Sequence, residues 1–125
     1  MKIHELMSRD VVTAESYATI KEALAIMDAS THSKLPVLNN GVLVGVIVKH
    51  DINSSVRRQG VVWETPVEWL MSKKLLVVHP DDDVVETAKI LVEKKICGVP
   101  VIDNDKLVGI VTATDIINQF IKDNS

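Results

Sequence analysis

Apolar positions along this chain recur in two rhythms, and both rhythms occur twice. Behind Thr19 and Glu22, which stand at capping-box spacing, Ile20, Ala23, Leu24 and Met27 follow helical steps. Behind Asp83 and Glu86, Val84, Ala88 and Leu91 do the same. Each predicted helix is followed by two short, β-branched runs: "LPVLN" with "VLVGVIV", and "VPVID" with "KLVGIVT". These read as strands, with Asn39-Asn40 and Asn104-Asp105 as the turns between them. A second helix closes each set, "DINSSVRR" and "DIINQFIK". Each set opens with "LMS" and a β-rich stretch, "DVVTA" or "KLLVV".

Shifted by 64 positions, the sequence lies on itself without a gap. Leu6-Met7-Ser8 falls on Leu70-Met71-Ser72, Pro36-Val37 on Pro100-Val101, and Leu43-Val44-Gly45 on Leu107-Val108-Gly109. Glu22 falls on Glu86, and Asp51-Ile52 on Asp115-Ile116. A tandem repeat follows. Residues 1–58 are the first copy, 59–66 ("QGVVWETP") a linker, and 67–125 the second copy. The fold class is α+β, α/β-like in its order, each copy running strand–helix–strand–strand–helix. A unit this small is marginal alone. The two small sheets are therefore expected to pack face to face with pseudo-two-fold symmetry.

Composition narrows the class further. The 125 residues suffice for one ordinary domain, with 46% hydrophobic and 25% charged positions, as in globular proteins. Aromatics are limited to Tyr17, Trp63, Trp69 and Phe120, so aliphatic side chains must build the core. For Trp63 and Trp69, packing on the module and forming an interface are both open. A net charge of −3, with no basic run beyond Arg57-Arg58 and Lys73-Lys74, argues against a nucleic-acid surface. No apolar run is long enough for a bilayer, and "MKIHELMSRD" is too polar for a secretory signal, so a cytoplasmic location is expected. Cys97 stands alone, which excludes a disulfide framework. His4, His32, His50 and His79 share no metal-ligand spacing. No nucleophile–base pair or carboxylate pair can be named, so no enzyme activity is expected.

The sequence resembles the CBS-domain family, as a tandem pair or Bateman module. The resemblance rests on "LMS", on "ICGVPVID" and "KLVGIVTATDI" in the second copy, and on "KLPVL" and "VLVGVIVKHDI" in the first. It covers almost the whole chain and implies a regulatory module that binds AMP, ADP, ATP or S-adenosylmethionine in clefts between repeats. It also implies pairing into a homodimer by helix-on-helix packing that covers Ile117 and Phe120. An effector protein is the expected recipient of the signal. Since the chain holds little besides the pair, a stand-alone module is expected.

The most suggestive residues are Thr112 and Asp115. A threonine at a helix start and an acid three residues on form a cap without any ligand. The same carboxylate can accept from ribose hydroxyls, while the helix N-terminus faces phosphate oxygens. The resemblance implies a main cleft with Ile110, Thr112, Thr114 and Asp115 from one copy. Val12, His32, Ser33, Lys34, Pro36 and His50 come from the other, Val12 meeting the base and Lys34 the phosphates. A second, weaker cleft would take Asp51, Leu76, Ile96, Cys97, Gly98 and Pro100. That cleft has Val48 where the main one has Thr112, and Gly98 where the first copy has Lys34. A division of labour between clefts is expected. The rival readings are a ligand-free oligomerisation module and, against the acidic charge, a nucleic-acid binder.

Overall fold

The computed structural model describes residues 1–125. The chain divides into two compact units: a continuous one, Val12–Leu75, and a discontinuous one, Met1–Val11 with Leu76–Ser125. The division therefore does not follow the repeats. The opening segment of each copy lies in the unit that holds the other copy's hairpin.

In the continuous unit, β1 (Ala14–Glu15) runs parallel to β2 (Lys34–Asn39), which pairs antiparallel with β3 (Val42–Val48). Between β1 and β2 lies α1 (Ile20–Ser30), and α2 (Lys49–Gln59) follows β3. Alternation buries Leu35 and Val37 of β2 and Leu43 and Ile47 of β3. Ile20, Ala23 and Met27 of α1 join Ile52 and Val67 in the same core, with Leu24 half-buried against it. Thr19 and Glu22 form the complete capping box expected of them.

The discontinuous unit repeats the order: α3 (Val84–Lys94), β4 (Gly98–Asp103), β5 (Lys106–Thr112) and α4 (Ala113–Asp123). Its core joins Ile3, Val78, Val84, Leu91, Val99, Val101 and Val111. Asp83 caps α3 by accepting from the Glu86 N–H. Glu86 does not return the bond, and its carboxylate meets Lys89 at 3.1 Å instead.

Two expectations need correction. The β-rich stretches "DVVTA" and "KLLVV" are mostly not strand. Only Ala14–Glu15 pairs in the first copy, and in the second only Val78 forms a bridge, to Val101. Val78 donates to the Pro100 carbonyl (3.0 Å) and accepts from Ile102 (2.9 Å), and no further backbone joins that ladder. The first hairpin turn is also displaced by one residue, to Asn40-Gly41 with φ of 52° and 81°. Positive φ at both central residues matches the twist of the strands, and glycine takes it without strain. Its counterpart Asn104-Asp105 is where it was expected, at φ 50° and 64°.

The "LMS" segments are clamped by glycine. Ser72 and Val46 exchange two backbone hydrogen bonds (2.8 and 3.0 Å), and Ser8 and Ile110 do likewise (2.8 and 2.9 Å). A Cβ on Gly45 would lie 2.6 Å from Met71 Sδ and 2.8 Å from the Ser72 carbonyl oxygen. On Gly109 it would meet Met7 Sδ and the Ser8 carbonyl oxygen at 2.8 Å. Gly45→Ala and Gly109→Ala should each cost about 1–3 kcal/mol through overpacking. Gly98→Ala, whose nearest contact would be 3.1 Å, should cost less. Urea midpoints measure this order, and equal losses at all three glycines would contradict the clamp.

Candidate ligand site

The two copies differ where their last strand enters the last helix. In the discontinuous unit Thr112 is the N-cap of α4. Its Oγ1 accepts from the Asp115 N–H at 3.1 Å, and its own N–H donates to Asp115 Oδ2 at 2.9 Å. The cap reading of Thr112-x-x-Asp115 is thus realised in full. It also fixes the half-buried carboxylate at the positive end of a helix, with Oδ1 outside the cap. In the continuous unit Val48 occupies the N-cap of α2 and offers no side-chain bond. Asp51 is exposed there, and its carboxylate makes no hydrogen bond or ion pair.

The cross-strand partners differ in the same way: Lys34 stands opposite Val48, and Gly98 opposite Thr112. A Cβ on Gly98 would lie 3.2 Å from Thr112 Cγ2, so the glycine leaves the threonine room. Ile110 is half-buried and bridged to Ser8, and Thr114 is exposed on the first turn of α4. Of the residues expected in the second cleft, Gly98 and Pro100 are buried in β4, and Ile96 packs on the core. Leu76 and Cys97 are exposed, and the Cys97 carbonyl accepts from the Ala113 N–H at 2.8 Å.

The continuous unit places the basic and turn residues. After α1 the chain turns through Thr31 in the left-handed region (φ 58°), and the His32 N–H returns to the Met27 carbonyl. The Ser33 carbonyl accepts from the Lys49 N–H at 2.8 Å, which sets the turn beside the start of α2. His32, Lys34 and His50 are exposed, Pro36 is buried in β2, and Val12 packs partly buried on the core. An open pocket of about 300 Å³ is lined by Met27, Asp28, Thr31, His32, Ser33 and Lys49. Lys49 Nζ meets Asp28 Oδ1 there at 2.7 Å. Sequence reasoning missed Lys49 and Asp28. The one available signal was the "KHD" run, in which Lys49 precedes His50. No group of three or more His, Cys, Asp or Glu side chains could hold a metal ion, and no helix is long and apolar enough to cross a membrane.

The CBS-domain profile matches residues 3–58 and 67–122. The chain belongs to the CBS-domain family. The CBS domain-containing protein YhcV of Bacillus subtilis is 30% identical over 119 residues, covering 94% of this chain and 85% of YhcV. The L-aspartate semialdehyde sulfurtransferase of Methanocaldococcus jannaschii is 31% identical over 120 residues, yet only 23% of its length is covered. Among solved structures, the CBS domain pair of protein MJ0100 is 30% identical with a TM-score of 0.84, and 98% of each chain is covered. That pair was solved in complex with 5′-methylthioadenosine and S-adenosyl-L-methionine. CBSX2, solved in complex with AMP, shares the fold at 23% identity, with a TM-score of 0.87 over 99% and 98% of the chains. CBS pairs are regulatory rather than catalytic as a class.

The cap asymmetry has a direct consequence for stability. Thr112→Val should remove an N-cap and cost about 0.5–2 kcal/mol, whereas Val48→Thr should add one and gain about 1 kcal/mol. Denaturant midpoints of the two variants should move in opposite directions. Movement in the same direction would mean that the Thr112 hydroxyl does not set the helix start.

Proposed function

We propose that this CBS pair is a regulatory sensor of adenosine-containing ligands, with Thr112 and Asp115 as the ribose- and phosphate-facing element. The observation that carries this reading is the Asp115 carboxylate, held at the N-terminus of α4 with one oxygen committed to the cap (2.9 Å) and the other outside it. A carboxylate so oriented can accept from vicinal hydroxyls, and the first-turn N–H groups favour an anion. The MJ0100 pair, solved with two adenosine compounds, supports the ligand class. The phosphate contacts assigned by resemblance to His32, Lys34 and His50, and the base contact assigned to Val12, belong to the same proposal. So does a weaker role for the Asp51 copy, whose carboxylate has no cap to orient it.

Calorimetry with AMP, ADP, ATP and S-adenosylmethionine is the decisive experiment. Asp115→Ala should weaken binding by roughly ten- to a hundredfold, the equivalent of a lost charge-assisted hydrogen bond of about 1.5–3 kcal/mol. Asp51→Ala should weaken it much less. Equal losses would remove the asymmetry, and no heat with any of the four ligands would remove the sensor reading itself.

A second reading rests on a separate observation. Ile117, Phe120 and Ile121 form an exposed apolar stripe on α4, where the first copy has Asn53, Val56 and Arg57. A stripe of this kind supports pairing of two chains through α4. Light scattering should give the mass of a dimer, and Phe120→Glu should halve it. A wild-type chain that stays monomeric at high micromolar concentration rules the pairing out.

A further inference from the structure

Every aromatic side chain of this protein stays out of both cores: Tyr17 is 72% exposed, Trp63 40%, Trp69 75% and Phe120 68%. Three of the four stand on two paired segments of the continuous unit. Glu68 N–H donates to the Ser16 carbonyl (3.1 Å), Val67 to Ala18 (2.7 Å), Ile20 to Thr65 (2.9 Å) and Lys21 to Trp63 (3.2 Å). Beneath them Ile20 and Val67 are fully buried, and Ala18 and Val61 pack on the same core. Rings on a backbone anchored in this way lose little further freedom when something docks. Each ring also has a carboxylate within two positions: Glu15 before Tyr17, Glu64 after Trp63, and Glu68 before Trp69. None of these three carboxylates takes part in an ion pair or hydrogen bond. Lys21 is the one basic residue on the two segments.

The matching corner of the discontinuous unit shows what is missing here. Under the 64-residue shift, Tyr17 corresponds to Asp81, Glu68 to His4 and Pro66 to Lys2. The backbone arrangement is the same, the His4 N–H donating to the Pro80 carbonyl as Glu68 donates to Ser16. In that corner Lys2 Nζ lies 3.8 Å and His4 Nε2 3.9 Å from Asp81 Oδ1. Pairs this exposed contribute little stability. They do show that the corner places basic side chains beside the position that Tyr17 holds in the other copy. In the continuous unit both basic residues are lost, one to proline and one to a further acid, and the Asp81 carboxylate is replaced by a ring.

We infer that this corner of the continuous unit is a docking surface for a basic segment of a partner protein. Its arginine or lysine side chains would lie against the rings of Tyr17 and Trp69 and be held by Glu15, Glu64 and Glu68. The negative face of an aromatic ring and a carboxylate attract the same cation, and Trp, Tyr and Arg dominate the energetics of protein interfaces. The same carboxylates repel phosphate, which turns away nucleic acid and anionic lipid surfaces. This surface is independent of the proposed nucleotide site and uses none of its residues.

The test measures fluorescence anisotropy of a labelled peptide of alternating arginine and glycine, at low salt, on the full chain. A glutamate–glycine peptide, single-stranded DNA and phosphatidylserine vesicles serve as competitors. The arginine peptide should bind and change the intrinsic tryptophan fluorescence. Tyr17→Ala and Trp69→Ala should each weaken it about three- to fivefold, as expected of one exposed cation–π contact. Glu68→Lys should weaken it further and flatten its salt dependence. Val92→Ala, an exposed apolar site on α3, should leave it unchanged. These side chains are exposed, so melting curves should match wild type. Should Glu68→Lys fail to fold, Glu68→Gln carries the charge test with a smaller loss. No binding of the arginine peptide overturns the inference. So does equal binding of the acidic peptide, stronger binding of DNA or vesicles, or indifference to all three substitutions.

Discussion

The close approach of the "LMS" segments to Gly45 and Gly109 is the constraint on which the rest of this fold depends. At 2.6–2.8 Å from a would-be Cβ, methionine sulfur and serine carbonyl occupy the space that any other residue would claim. The paired hydrogen bonds to Val46 and Ile110 fix the register of each segment against its strand. That register in turn fixes what precedes and follows it. On one side it sets the short helical turns at Ile3–Glu5 and Val67–Trp69, each of which buries its first residue. On the other it anchors β3 and β5 just before they reach the starts of α2 and α4. Because each segment closes the unit holding the other copy's hairpin, neither copy carries all of its own core. Deleting one would leave the other with an open strand and an unfilled glycine notch, so the compact units and the sequence repeats are different divisions of one chain.

Once β3 and β5 are held, a single hydroxyl decides how the following helix begins. Thr112 and Val48 have nearly the same shape, and both sit extended at an N-cap, with ψ of 161° and 133°. Only Thr112 can accept an N–H, and only there does the acid three residues on turn back to the backbone. Asp115 therefore has a fixed direction, whereas Asp51 remains a solvated side chain that must be ordered by whatever binds it. Ordering a side chain of this kind on binding costs on the order of 0.5–1.5 kcal/mol. An inequality between the two acids follows from the cap alone, before any ligand is considered.

Much of this was legible in the sequence, because it depends on neighbours. The helix caps at Thr19 and Asp83, the buried steps Ile20, Ala23 and Met27, and the hairpins around Pro36 and Pro100 are local patterns, and the repeat doubles each signal. The first turn lies one residue later than expected, because β2 runs on to Asn39 as β4 runs to Asp103. Asn40-Gly41 was the stronger turn signal. What could not be read depends on distant pairs. The apolar rhythm of "KLLVV" fits a strand, but a strand needs a partner ladder, and only Val78 finds one. Lys49 and Asp28 lie 21 residues apart, so nothing local joins them. The destination of the "LMS" segments was likewise hidden, since identical segments fit either unit.

The repeat is most informative where it fails. Duplication supplies two equal copies, and packing keeps them equal wherever a core or a glycine notch must be filled. Ile20 and Val84, Ala23 and Thr87, Val37 and Val101, and Ile47 and Val111 all remain buried. The differences collect outside those positions, at Val48 against Thr112, Lys34 against Gly98, Tyr17 against Asp81, and Glu68 against His4. None of the eight is needed to fill either core. Three of the four pairs set a charge or an aromatic ring in one copy against a residue of different character in the other. Stability alone gives no reason for such a pattern, because exposed charges contribute little to it. Binding does, because a surface that must accept one ligand and refuse another is tuned by charge and hydrogen-bonding capacity rather than by volume. The fold thus holds two nearly identical frames whose buried positions change in size, while their changes of charge fall mainly where a frame meets solvent.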